Sequence, residues 1–263
     1  MYLVIGIALM VVALIGIIWC QKKQKTNPNA QALAFVFLIL IIAGAGTVLW
    51  DQGIFGGEDR EMNKIIKNET AYAAARSEVI GKYLVGKYAG KKAVIITEKD
   101  LENNKINKGA YDAMVKALNG IEVEATEVLN TPETSPDNPM PMESLITAKL
   151  FNEIFNKYPN TNLFIIMTSL PFNTDEVQKL SIWKKDPKKT QAVIVNGEVY
   201  NLKRAIGAGY IAATAVMKND SAAYDPERTA PSDPQKAFDV RYILVTPENV
   251  ADIAKKNKGI FAK

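Results

Sequence analysis

Two uncharged apolar runs, Met1–Cys20 and Ala32–Trp50, stand at the N-terminus with a short polar loop between them. Each is roughly 20 residues long, the length a helix rising about 1.5 Å per residue needs to cross a hydrocarbon core. The loop carries Lys22, Lys23 and Lys25. Lysine clusters in short loops stay on the cytoplasmic side of a membrane. The expectation is a transmembrane hairpin over residues 1–52, with spans at about 1–20 and 32–50. Both the N-terminus and everything beyond Trp50 then lie on the extracytoplasmic side of the cytoplasmic membrane. A cleaved signal peptide fits less well, because no charge precedes the first run and Trp19 stands where a cleavage site needs a small residue. Gly44 and Gly46 fall short of a GxxxG spacing and read as ordinary small residues of a span.

The rest of the chain, residues 58–263, suits one domain. It has no histidine, which excludes Ser-His-Asp and Cys-His catalysis and the usual zinc sites. The single cysteine, Cys20, belongs to the first apolar run, so the domain has neither disulfide nor thiol nucleophile. A net charge of +4 without a basic stripe gives no reason to expect nucleic acid. No Walker A sequence occurs, and Glu98-Lys99-Asp100 stands where a phosphate loop would follow the first strand. The carboxylate pairs Glu98/Asp100 and Asp175/Glu176 read as helix-start residues that favour the helix dipole. No catalytic residue, metal site or cofactor is expected.

Periodicity sets out alternating helices and strands. Helix is predicted over Asp59–Lys87, with Met62, Ile65, Ile66, Val79, Ile80 and Leu84 on its apolar face, then over Gly109–Leu118, Ser144–Tyr158, Thr174–Trp183, Leu202–Ile206 and Glu248–Lys256. Short apolar runs at Ala93–Thr97, Leu163–Met167 and Gln191–Val195 read as buried strands. Ile121–Leu129 alternates as a half-buried one, and Tyr242–Val245 is the last. Tyr210–Met217 is read as strand after the Gly207-Ala208-Gly209 break, although its alanines also suit a helix. Loops rich in proline separate these elements around Pro132–Pro141 and at Pro226, Pro231 and Pro234. The fold class expected is α/β: an open, mostly parallel sheet sandwiched by helices, preceded by two transmembrane helices. Ligands of such sheets bind beyond the carboxyl ends of the strands. Ser169, Phe172, Asn196 and Glu198 follow the third and fourth strands and are the candidate ligand contacts. An aromatic face suits a ring, and a planar amide suits paired hydroxyls.

From Ala71 to Asn249 the order of segments resembles the C-terminal lobe of the type 1 periplasmic sugar-binding proteins. The resemblance is carried by "ARSEVIGKYLVGKYAGKKAVIIT", "KGAYDAMVKALNGIEVEATEVL", "NTNLFIIMTSLP", "AVIVNGEVYNLKRAIGAGYIAAT" and "VRYILVTPENV". It implies a periplasmic-binding-protein-like lobe that holds a sugar in a cleft. The chain departs from that pattern in three places. The anchor hairpin occupies the position of the first lobe, Ser169-Leu170 replaces Asn-Asp after the third strand, and Asn196 replaces aspartate after the fourth. With half the cleft and two polar contacts altered, the leading expectation is a non-catalytic interaction or scaffold module. Such a module would self-associate or bind a protein partner, and its two helices would sit in membrane lipid. The alternative is a sensor or transporter accessory that captures a small, sugar-like molecule. The prolines between Lys218 and Asp239 are expected to prevent a full-length covering helix and to leave apolar surface exposed.

Overall fold

In a computed structural model of the chain, residues 2–24, 29–51, 57–132, 145–197, 199–218, 225 and 228–262 are described. The chain packs as two compact units, Met1–Ile65 and Ile66–Lys263.

The first unit holds α1 (Tyr2–Lys23) and α2 (Ala30–Asp51), both long and apolar enough to cross a membrane. They pack antiparallel. A Cβ on Gly6 would lie 2.5 Å from Thr47 Oγ1, and one on Gly16 would lie 2.5 Å from the Phe37 ring. Gly44 faces Met10 and the Gly6 carbonyl in the same way, whereas Gly46 meets nothing. Gly44 is therefore a helix-contact residue, which corrects its reading as an ordinary small residue; close approach of backbones is what glycine permits in apolar surroundings. The outer faces expose Val12, Ile15, Phe35 and Ile42.

The second unit is built on a six-stranded sheet: β1 (Lys92–Thr97), β2 (Glu122–Val128), β3 (Leu163–Ile166), β4 (Gln191–Ile194), β5 (Ile211–Met217) and β6 (Tyr242–Val245). The order is β2-β1-β3-β4-β5-β6; the first five strands are parallel and β6 runs antiparallel to β5. This is the mostly parallel α/β sheet that the alternation predicts. The fully apolar strands are central and covered on both faces, as parallel strands must be. β2, with alternating polar residues, is one edge strand and β6 is the other.

Helices cover each face. On one side lie α3 (Gly57–Tyr88), α4 (Lys105–Ala117) and α8 (Pro234–Arg241), packing Tyr72, Ile80, Leu84, Met114 and Phe238 against Ile95, Ile165 and Val193. On the other lie α5 (Ala148–Lys157), α6 (Thr174–Gln178), α7 (Lys203–Gly207) and α9 (Val250–Lys256). There Phe155 meets Phe164 edge-on at 4.8 Å between ring centres, a favoured aromatic geometry.

Several boundaries move for local reasons. α4 starts at Lys105, a turn earlier than periodicity predicts, because the Asn104 side chain accepts from the Asn107 amide and caps the helix. The helix expected over Ser144–Tyr158 runs from Ala148, with Ile146 and Thr147 non-helical; Ser144 lies outside the described residues. The helix expected over Thr174–Trp183 divides into α6 and a 3-10 turn, Ser181–Lys184. The segment read as strand over Tyr210–Met217 is strand over Ile211–Met217. Pro234 is not in a loop: it occupies the first turn of α8 behind the cap Asp233, where its missing N–H costs nothing. Residues 219–224 and 226–227 of the same stretch, Pro226 included, lie outside the described residues. Met62 and Ile65, assigned by periodicity to a buried face, are exposed.

Candidate functional site

At the carboxyl ends of β1 to β4 the connecting loops stand apart and leave a cleft of about 720 Å³. Its walls come from the loop after β1 (Glu98 to Asn107), from Leu129 and Thr131 after β2, from Thr168 and Ser169 after β3, and from Asn196 after β4. Ile66 and Ile146 supply apolar surface. A volume of this size suits a small organic molecule.

The β1 wall is tied down from within. Glu98 accepts from Asn107 Nδ2 at 2.6 Å, so its carboxylate anchors the loop to α4. Glu176 likewise does more than favour its own helix: it accepts from the Ala148 backbone N–H at 2.9 Å and pairs with Lys179, fastening the start of α5. The Lys179 hydrogen bond and the Ala148 N–H hold its carboxyl below the usual range.

Two of the four predicted contacts, Ser169 and Asn196, share this cleft. Phe172 does not line it. It sits 84% exposed beside a second hollow of about 460 Å³, with Tyr200, Val199 and Ile260, and Ser169 borders both spaces. Glu198 lies outside the described residues. Neither Thr168, only 6% exposed, nor Ser169 has a side-chain hydrogen bond among the described residues. These are open hydroxyls on a concave wall.

Asn196 is held from behind. Arg76, on α3, donates Nη2 to Asn196 Oδ1 at 2.9 Å, and Asn196 Nδ2 donates to the Met167 carbonyl at 3.2 Å. Gly197 follows with φ of +72°, and a Cβ there would stand 2.3 Å from the Ala215 carbonyl. Only glycine lets the chain leave β4 this closely over β5. Arg76 lies over the Tyr242 ring at 5.5 Å, and burial pulls its guanidinium below the ordinary arginine value. Beside it the buried Arg241 pairs with Glu69 at 2.6 Å and stacks on Tyr72 at 3.6 Å. Burial also raises the Tyr242 hydroxyl. Sequence reasoning missed Arg76 altogether; the signal was one arginine in the alanine-rich run Ala71–Ala75 and Ser77 of a buried helix face.

Among the described residues no group of acidic, cysteine or histidine side chains is arranged to hold a metal. No family model and no curated protein sequence matches this chain. Solved structures show a partial likeness to it. The similarity is to type 1 periplasmic sugar-binding proteins. It extends over about 70% of the chain. A glucose-galactose binding protein from Geobacillus stearothermophilus aligns over 73% of this chain and 57% of its own, at 18% identity and a TM-score of 0.37. A galactofuranose binding protein aligns over 72% and 63%, at 14% identity and a TM-score of 0.46. The Caulobacter myo-inositol binding protein, solved with myo-inositol, covers 68% and 60%, at 14% identity and a TM-score of 0.40. The chain thus spans less than two thirds of the length of these proteins.

Proposed function

We propose that this protein is a membrane-anchored binding protein whose α/β domain captures a small polar molecule, of the size and hydroxyl content of a sugar, in the cleft at the carboxyl ends of β1 to β4. The observation that carries this reading is the unpartnered pair of hydroxyls, Thr168 and Ser169, beside the braced amide of Asn196 in a cleft of about 720 Å³. Hydroxyls that face a concave wall without a protein partner are open to hydrogen bonds from a ligand. The reading is of binding without catalysis. Lys22, Lys23 and Lys25 between the two apolar helices support a place for the domain outside the cytoplasm. It favours the small-molecule alternative over the scaffold role expected first.

Thermal unfolding of the full chain in detergent, against a panel of sugars, polyols and their acids, tests it. A ligand at about 100 times its Kd stabilises the folded state by about 2.7 kcal/mol. Ser169→Ala and Asn196→Ala should reduce the shift; a panel without any shift rules the reading out. A second reading has its own observation: Phe172 and Tyr200, 84% and 59% exposed, flank the smaller hollow and suit a protein partner or a second copy. Light scattering in detergent on the full chain and its Phe172→Asp variant decides it, since a partner-free monomer in both removes that role.

A further inference from the structure

The amide of Asn196 has one orientation open to it. A guanidinium only donates and a carbonyl only accepts. With Arg76 Nη2 at 2.9 Å and the Met167 carbonyl at 3.2 Å, Oδ1 turns back towards α3 and the amide offers the cleft N–H rather than oxygen. An aspartate at this position would neutralise Arg76. Asparagine leaves that charge uncompensated: among the described residues Arg76 has no carboxylate partner, and its buried Nε has no acceptor. Arg241 next to it differs, because Glu69 balances its charge. On the β1 wall Glu98 and Asp100 are matched in number by Lys99 and Lys105. Among the described residues, the unbalanced charge beside the cleft is therefore Arg76. Thr168 and Ser169 directly follow Met167, whose carbonyl holds Asn196, and both line the same cleft as Asn196.

We propose that this corner, where β3 and β4 end, is an anion subsite: it takes the carboxylate or phosphate of a small polyol through the Asn196 N–H and the Thr168 and Ser169 hydroxyls, in the field of Arg76. The proposal rests on the reading of the cleft as a small-molecule site and names its ligand class. Each side chain named for the subsite is a donor or can act as one, and a partly buried cation with no carboxylate beside it favours an approaching anion. Arg76 is a positioning residue: it aims the amide and supplies charge without lining the cleft.

Calorimetry on the full chain in detergent, with glucose and galactose, their uronates and their 6-phosphates, tests this directly. An acidic probe should bind about tenfold or more tightly than its neutral parent, an advantage that shrinks as salt is raised. Asn196→Asp supplies Arg76 with a carboxylate; it should abolish the preference for the acidic probe and leave the unliganded protein no less stable. Arg76→Gln should do the same and Arg76→Lys should restore part of it. If the Arg76 variants do not fold, Thr168→Val, which keeps the charge and removes one hydroxyl, should still weaken acidic probes severalfold. Neutral sugars binding as tightly as their acids, an unchanged preference in Asn196→Asp, or no binding by any acidic probe overturns the subsite, whatever the neutral sugars do. Absence of binding by every small molecule tried overturns the cleft reading as well.

Discussion

Gly197 shows at the residue scale how little freedom the cleft wall has. Its φ of +72° and the 2.3 Å approach to the Ala215 carbonyl leave no room for a Cβ. Gly197→Ala should cost about 3 kcal/mol, from a strained backbone and a clash against backbone that cannot step aside. Urea unfolding of the full chain in detergent checks it; an unchanged midpoint would show that the wall gives way. A second residue-scale prediction concerns pH. Lys87 holds the Glu248 carboxyl at about 2, far below its ordinary value near 4.5. A carboxyl depressed in the folded state contributes stability above pH 4.5, which is lost as pH falls towards 2. Both side chains are substantially exposed, so the contribution is small. In acid titrations, wild type and Glu248→Gln should differ near neutrality and converge towards pH 2. That Ser169 and Asn196 would line the cleft was legible in the sequence because they stand two residues and one residue past apolar runs that read as buried strands. Arg76 was not, since it lies 120 positions from Asn196 on a helix whose other residues read as core.

Among the elements, the strands were read almost to the residue and the helix ends were not. Leu163–Ile166 and Gln191–Ile194 announce themselves because a short apolar run has to be covered on both faces. Helix starts depend on single side-chain bonds that periodicity does not report. The Asn104 cap is one, and it places the first turn of α4 in the cleft wall. Asn104→Ala should destabilise the domain by about 1 kcal/mol and weaken whatever ligand the cleft takes. Comparing the unfolding midpoint with ligand affinity checks both effects. Asn104→Asp, which still caps, should recover the stability. In the hairpin, the same limit hid Gly44: a helix contact is visible only once Met10 and Gly6 are opposite it. At Pro234 the rule that proline breaks helices misled, because at a first turn it starts one.

For the molecule as a whole, the lysines between the two apolar helices predict that everything beyond the second lies outside the cytoplasm. Protease added to intact spheroplasts should digest the domain; survival until the membrane is lysed would reverse the orientation. The hairpin and the α/β class follow from the sequence alone, because runs of about 20 uncharged residues and short apolar runs between amphipathic helices each have few ways of burying themselves. Local chemistry is sufficient for that, since hydrophobic length and period act within a segment. The identity of the polar partners was decided only in three dimensions. The sheet order β2-β1-β3-β4-β5-β6 brings the ends of β1 to β4 around one cleft, and α3, packed across it, delivers Arg76 to Asn196. A hydrogen bond between residues so far apart leaves no periodic trace in a single chain. Its donor and acceptor are ordinary residues until the packing of apolar faces has fixed where each helix crosses the sheet.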